Sequence, residues 1–142
     1  MFEGQKYYVA RDKGDIKTKI TANTYPANRI VTTRVTDMSA MFYSNSSFNQ
    51  DIGNWDTSKV TSMASMFAYA QKFDQPLNNW DTSKVTNMHG MFEFAEAFNQ
   101  PLNNRRINQI SDENLIDMFT TSARAFKTNQ PYCTWANWSA KK

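Results

Sequence analysis

The sequence predicts an α/β repeat solenoid: short helices and short parallel strands coiled around one core and capped at both ends. Three observations carry that prediction. The segment beginning Val-Thr-Asp-Met-Ser-Ala-Met-Phe at Val35 recurs at Val60 and Val85, a period of 25 residues without insertion or deletion. Within each copy the apolar positions fall at helical intervals, and a short stretch around Ile52, Leu77 and Leu102 reads as a strand. A fixed period within about 20–50 residues is the mark of stacked supersecondary units, none of which can bury its apolar face alone.

On this reading residues 1–142 form one domain. Residues 1–34 are an N-terminal cap, 35–59, 60–84 and 85–109 are repeats, and 110–142 are a divergent repeat with a C-terminal cap. The first two copies share 13 of 25 positions and the second and third share 12 of 25, more than chance similarity produces.

In the N-terminal cap, Lys6-Tyr-Tyr-Val-Ala is β-prone. Asp15 is expected to cap a short helix bearing Ile16 and Ile20 on one face. The run Asn23-Thr-Tyr-Pro-Ala-Asn reads as a turn. Arg29-Ile-Val-Thr-Thr-Arg aligns with Asn54-Trp-Asp-Thr-Ser-Lys and is the tail of a degenerate repeat. Such a segment shields the first repeat from solvent and from strand pairing.

In the second copy Val60, Met63, Met66, Phe67, Ala70 and Phe73 predict a helix through about residue 70, with Thr61 as its N-cap. The segment Gln75-Pro-Leu-Asn predicts a brief strand, where Pro76 is tolerated only at the start or at an unpaired position. Stacking then predicts ladders of Val35/60/85, Met38/63/88, Met41/66/91, Phe42/67/92, Phe48/73/98, Ile52/Leu77/Leu102 and Trp55/80. Gln50/75/100 and Asn54/79/104 also fall in register, and stacked amides can bond along the column. After Asn104 the motif gives way to Arg105-Arg-Ile-Asn-Gln; Ser111 followed by two acids opens a further helix, and Leu115, Met118 and Phe119 replay the apolar face.

Composition narrows the function classes. Residues 1–34 carry a net charge of +4, 35–104 of −4 and 105–142 of +3. That alternation is no nucleic-acid footprint, which needs Lys and Arg gathered on one face. With one cysteine, Cys133, no internal disulfide forms. No run of 18 apolar residues exists, so no membrane insertion is expected. The start of the chain lacks the apolar stretch of a signal peptide, which suits a cytoplasmic chain or one whose leader was removed.

The string Met-Phe-x-x-Ala/Ser-x-x-Phe-Asn/Asp-Gln-x-Ile/Leu-x-x-Trp-Asp-Thr-Ser-Lys-Val-Thr-x-Met resembles the BspA-like, lipoprotein-type leucine-rich repeats of bacterial surface proteins. The likeness is close over 30–104 and looser over 105–135. It implies a right-handed, leucine-rich-repeat-like coil, a role in adhesion or protein binding, and a place at the cell surface. It supplies no catalytic residues.

Candidate chemistry is sparse. His89, the sole histidine, has no companions at metal-ligand spacing and reads as a surface residue. Asp56 and Asp81, each followed by a lysine three residues on, read as turn caps and not as a cation site. Cys133 has no basic neighbour to activate it. The expectation is a non-catalytic module without cofactor or metal, binding a partner protein or a glycan through its exposed strand face. The alternative is a structural, self-assembling repeat protein. The face is sought where the copies differ, at Asp51, Asn78, Asn103, Arg105 and Arg106.

Overall fold

The computed structural model describes residues 4–100 together with Asn114 and Met118. A β-prone run, a capped helix and a second β-branched pair give the chain its entry. Strand β1 (Tyr8–Val9) lies parallel to β2 (Ile30–Val31), with Tyr8 opposite Ile30 and Val9 opposite Val31. Helix α1 (Lys13–Thr21) connects them, followed by a 3-10 turn at Ala27–Arg29. The helix cap is Asp12, not Asp15: the Asp12 side chain accepts from the Asp15 amide at 2.9 Å. Ile16 faces the core and is buried.

Asp15 instead ties the strand to the helix. Its carboxylate accepts from the Tyr8 hydroxyl at 2.9 Å, the Arg11 amide at 3.1 Å and Arg11 Nε at 3.2 Å. The guanidinium and then the amide of Arg11 outweigh desolvation and hold this carboxyl well below the usual carboxylate range. The same contact raises the Tyr8 phenol.

The predicted solenoid of short helices and short strands is overturned. Among the described residues, the only α-helix and the only two-stranded sheet lie within 8–31, ahead of the repeats. Repeats 35–59 and 60–84 hold neither helix nor named strand, and the described part of 85–109 holds none either; only isolated parallel bridges join Asp37 to Ser62 and Ser62 to Asn87. With those elements absent, the leucine-rich-repeat-like coil is not the architecture of the described chain.

The physical reason lies in the backbone amides. In the segment predicted to be helical, alternate N–H groups leave their own copy. Those of Met38, Ala40, Phe42 and Ser44 donate to the carbonyls of Ser62, Ala64, Met66 and Ala68, each at 2.9 Å. Those of Met63, Ser65, Phe67 and Tyr69 donate to Asn87, His89, Met91 and Glu93 at 2.8–2.9 Å. Met88 and Phe92 continue to Asn114 and Met118 at 2.9 Å. The intervening amides close turns three residues back, as Met41 does to Met38 and Tyr43 to Ala40, both at 3.3 Å. An α-helix needs every amide for its own ladder, so the two patterns exclude each other.

Left-handed residues enforce the choice. Ala40 (φ 52), Ser65 (φ 53) and Gly90 (φ 60) occupy one position of the three copies, and Ser44 (φ 56), Tyr69 (φ 60) and Phe94 (φ 53) another, four residues on. A residue there interrupts any right-handed helix, and costs about 1–2 kcal/mol when it is not glycine. A turn renewed every four residues returns inward positions at intervals of three and four. That is the spacing an amphipathic helix would also show.

The expected side-chain ladders do form in the described copies: the valine, methionine, phenylalanine, Ile52/Leu77 and tryptophan columns are all buried. Phe42, Phe67 and Phe92 stack at 5.6 and 5.5 Å between centroids, while Phe48, Phe73 and Phe98 make a second column at 5.8 Å. The columns interlock within each copy, Phe67 on Phe73 and Phe92 on Phe98 at 4.0 Å. Trp55 Nε1 donates to the Ala27 carbonyl at 2.8 Å and Trp80 Nε1 to that of Ile52 at 3.0 Å, so each indole bonds one copy back. Buried Thr32 and Thr57 donate forward to the carbonyls of Asp56 and Asp81 at 2.9 and 3.1 Å. Buried Thr82 Oγ1 has no partner among the described residues. The amide columns bond diagonally: Gln75 Nε2 donates to Asn49 at 3.1 Å, and Gln100 Nε2 to the Asp74 carboxylate at 3.0 Å.

Three outcomes follow for stability. Ala40 is exposed at a left-handed position, so Ala40→Gly should raise the urea-derived unfolding free energy by about 0.5–1 kcal/mol, and Gly90→Ala should lower it by at least as much. Phe67→Ala, opening a hole in the first column where it meets the second, should cost about 3–5 kcal/mol in the same measurement. The folded Asp15 pKa is depressed, so its stabilisation is fully present above the unfolded value of about 4 and is lost as pH falls through the folded one. Asp15→Asn should therefore destabilise at neutral pH, with the gap to wild type narrowing below about pH 4.

Candidate binding surface

Alternation of exposure around the buried aliphatic column survives without a strand. Asp51 is exposed, Ile52 buried and Gly53 half-buried; Pro76 is exposed, Leu77 buried and Asn78 exposed. The strand face sought at these residues is therefore a loop face. The Asp51 carboxylate accepts from the Gly53 amide at 2.9 Å, which shapes the turn. A Cβ at Gly53 would lie 3.3 Å from the Pro76 carbonyl, so glycine here permits close approach of the next copy. Asn103, Arg105 and Arg106 lie outside the described residues, as does Cys133.

The other sequence candidates serve turns. The Asp56 carboxylate accepts from both the amide and hydroxyl of Ser58, at 3.0 and 2.6 Å, and these bonds hold it below its ordinary range. Asp81 repeats the amide bond with Ser83 at 2.9 Å. His89 is exposed, its amide bonded to Asn87 Oδ1 at 3.0 Å. Asp37 Oδ1 accepts from the Ser39 amide at 2.8 Å in the matching turn of the first copy. At the residue after the threonine, Asp37, Ser62 (accepting from the Ala64 amide at 3.4 Å) and Asn87 make these i to i+2 bonds in place of the N-cap expected of Thr61. No group of three or more His, Cys, Asp or Glu able to hold a metal occurs among the described residues. No helix among them is long and apolar enough to cross a membrane.

Sequence reasoning missed the most distinctive part of the surface. Tyr43 and Tyr69 are 52% and 37% exposed, and Phe94 is half-buried beside them. Their rings form a continuous outer column, Tyr43 edge-on to Tyr69 at 5.7 Å and Tyr69 stacked on Phe94 at 4.7 Å. Burial, Glu93 and Tyr43 together raise the Tyr69 phenol. Register hid the column: Tyr69 and Phe94 are 25 apart, but Tyr43 falls one place early, 26 before Tyr69. Bulky aromatics also stand at left-handed positions, where short residues such as Ser44 fit at lower cost.

Phe94→Gly tests whether this column is a prop for the fold. Relief of the left-handed strain, about 1 kcal/mol, opposes loss of a ring pair worth about 0.5–1.5 kcal/mol. With the lost burial of the half-buried ring added, the urea-derived unfolding free energy should fall by about 1–2 kcal/mol, less than for Phe67→Ala.

Residues 15–135 match the model of a family described as "Mycoplasma protein of unknown function, DUF285". No curated protein and no solved structure matches the chain. The family match spans 121 of the 142 residues (135 − 15 + 1), taking in all three copies of the repeat, and the chain belongs to this DUF285 family.

Proposed function

We propose that this chain is a non-catalytic binding module that captures a partner protein on the outer aromatic face of its stacked copies. The observation that carries the reading is the exposed Tyr43–Tyr69–Phe94 column. Tyrosines offer large, stiff, amphipathic contact area, and aromatics are enriched at the centres of protein interfaces. Asp51 and Asn78 contribute a second set of exposed polar positions on neighbouring copies. A protein partner fits better than a glycan. At the centre of the column Tyr43 and Phe94 pack against the Tyr69 ring, so a sugar has little of that ring's face to stack on. The resemblance of the repeat to the BspA-like, lipoprotein-type family of bacterial surface proteins supports an adhesive role for that contact.

Photo-crosslinking from position 43 in a cell extract, followed by affinity measurement with the captured protein, tests this. Tyr43→Ser with Tyr69→Ser should weaken the captured complex by roughly 2 kcal/mol or more, the range of an interface hot spot, while Asp51→Lys and Asn78→Lys identify whether the loop face takes part. Charge reversal at Arg105 and Arg106 asks the same of that pair. Equal affinity for the Tyr43/Tyr69 variant would remove the column from consideration. Crosslinks only between copies of the chain would favour self-assembly instead.

A further inference from the structure

A second feature stands apart from the aromatic column. Between the start of α1 and the first repeat lies a cavity of about 410 Å³, with Val35 and Thr36 in its lining. Four cations line it, Arg11, Lys13, Lys17 and Arg34, against two carboxylates, Asp12 and Asp37. Both carboxylates are already engaged. Asp12 caps the helix through the Asp15 amide at 2.9 Å. Asp37 holds the Lys13 ammonium at 2.8 Å and the Ser39 amide at 2.8 Å. Arg11 is likewise committed to Asp15, with Nε at 3.2 Å and Nη2 at 3.3 Å. Lys17 and Arg34 remain, both exposed and neither bonded to any described residue.

We infer that this cavity docks an acidic polypeptide segment of a partner protein, whose Asp or Glu side chains meet Lys17 and Arg34. Charge complementarity points to an anion: with Arg11 paired to Asp15 and Lys13 to Asp37, Lys17 and Arg34 leave the lining one positive charge in excess over Asp12, within a segment, 1–34, of net charge +4. Their exposure points to a macromolecule. Exposed charges gain little from a small, equally hydrated anion, but gain more when a partner's surface covers them and excludes water. The Asp12 and Asp37 carboxylates in the same lining, and repeats of net charge −4 beyond it, oppose a long polyphosphate backbone. A short acidic stretch of polypeptide avoids the second obstacle, and its spaced single charges can meet Lys17 and Arg34 without crowding Asp12 and Asp37 as a continuous phosphate chain does.

The site is independent of the aromatic column, and its test leaves that column intact. Fluorescein-labelled hexaglutamate and hexaglutamine are titrated with the full chain at low salt, with anisotropy as the readout. Hexaglutamate should bind and hexaglutamine should not. Lys17→Glu with Arg34→Glu should weaken hexaglutamate binding by roughly tenfold or more. Lys59→Glu with Lys84→Glu, two exposed lysines on the repeats, changes net charge equally and should leave binding near wild type. Thermal melting checks that each variant is folded, and Lys17→Gln with Arg34→Gln replaces the first pair if it is not. Absent hexaglutamate binding, or equal weakening by the two pairs, overturns the inference. So does oligothymidylate or inorganic phosphate binding with the same Lys17 and Arg34 dependence and higher affinity than hexaglutamate.

Discussion

Alternate amides directed from one copy to the next are the constraint on which the rest of this structure depends. Each copy keeps half of the amides in its turn segment for itself, as in Met41 to Met38, and sends the other half forward, as in Met38 to Ser62. Because a buried amide without a partner is costly, no copy satisfies its own backbone without a neighbour. The register this imposes brings identical side chains into columns. Phe42, Phe67 and Phe92 stack because their amides already donate across the copies, to the carbonyls of Met66, Met91 and Met118. The tryptophan indoles, bonding one copy back, and the threonine hydroxyls, bonding one copy forward, tie the same register from the other side of the repeat.

A ladder of this kind needs an end. In the second and third copies the carbonyls of Ala64 and His89 accept amides from the preceding copy. The equivalent carbonyl in the first copy is that of Ser39, which accepts instead from the Lys13 ammonium at 3.1 Å. Lys13 also bonds the Ser39 hydroxyl and the Asp37 carboxylate, both at 2.8 Å, so one side chain satisfies three groups at the open edge. Burial favours the neutral form of Asp37, but its bonds to Lys13 and Ser39 outweigh that and hold it ionised below its ordinary range. Helix α1 thus protects the first copy both by packing Ile16 into the core and by placing a charge where an amide would otherwise stand. The same arrangement leaves Lys17 and Arg34 facing the cavity beside it.

The surface follows from what the ladder leaves over. Positions whose backbone is held left-handed point side chains away from the core, and at Tyr69 and Phe94 those side chains are aromatic. The columns inside the repeat and the Tyr69–Phe94 pair outside it share one periodicity, which Tyr43 joins from one place out of register, yet they answer to different demands. The inner rings must fill space between copies, whereas nothing in the packing requires a tyrosine at position 43 or 69, since both stand substantially in solvent. Asp51 and Asn78 belong to the same outward set, although Asp51 also serves its own turn.

The sequence by itself determined the period, the register and the identity of the buried residues. Every described member of the predicted apolar columns is in the core, because an apolar side chain repeated at one place in each copy stacks on its equivalents and interlocks with the neighbouring column. It also located the N-terminal strand and helix, from the β-prone run and the Ile16/Ile20 spacing. What only the tertiary structure decided was where the amides go. Spacings of three and four residues suit an amphipathic helix and a run of four-residue turns equally, and no pattern of side chains distinguishes them. The choice rests on left-handed backbone at Ala40, Ser65 and Gly90, where only the glycine advertises it, and on hydrogen bonds to residues 24 positions away. The aromatic column was illegible for the related reason that Tyr43 is one place out of register, and its ring reaches Tyr69 only once the copies are stacked.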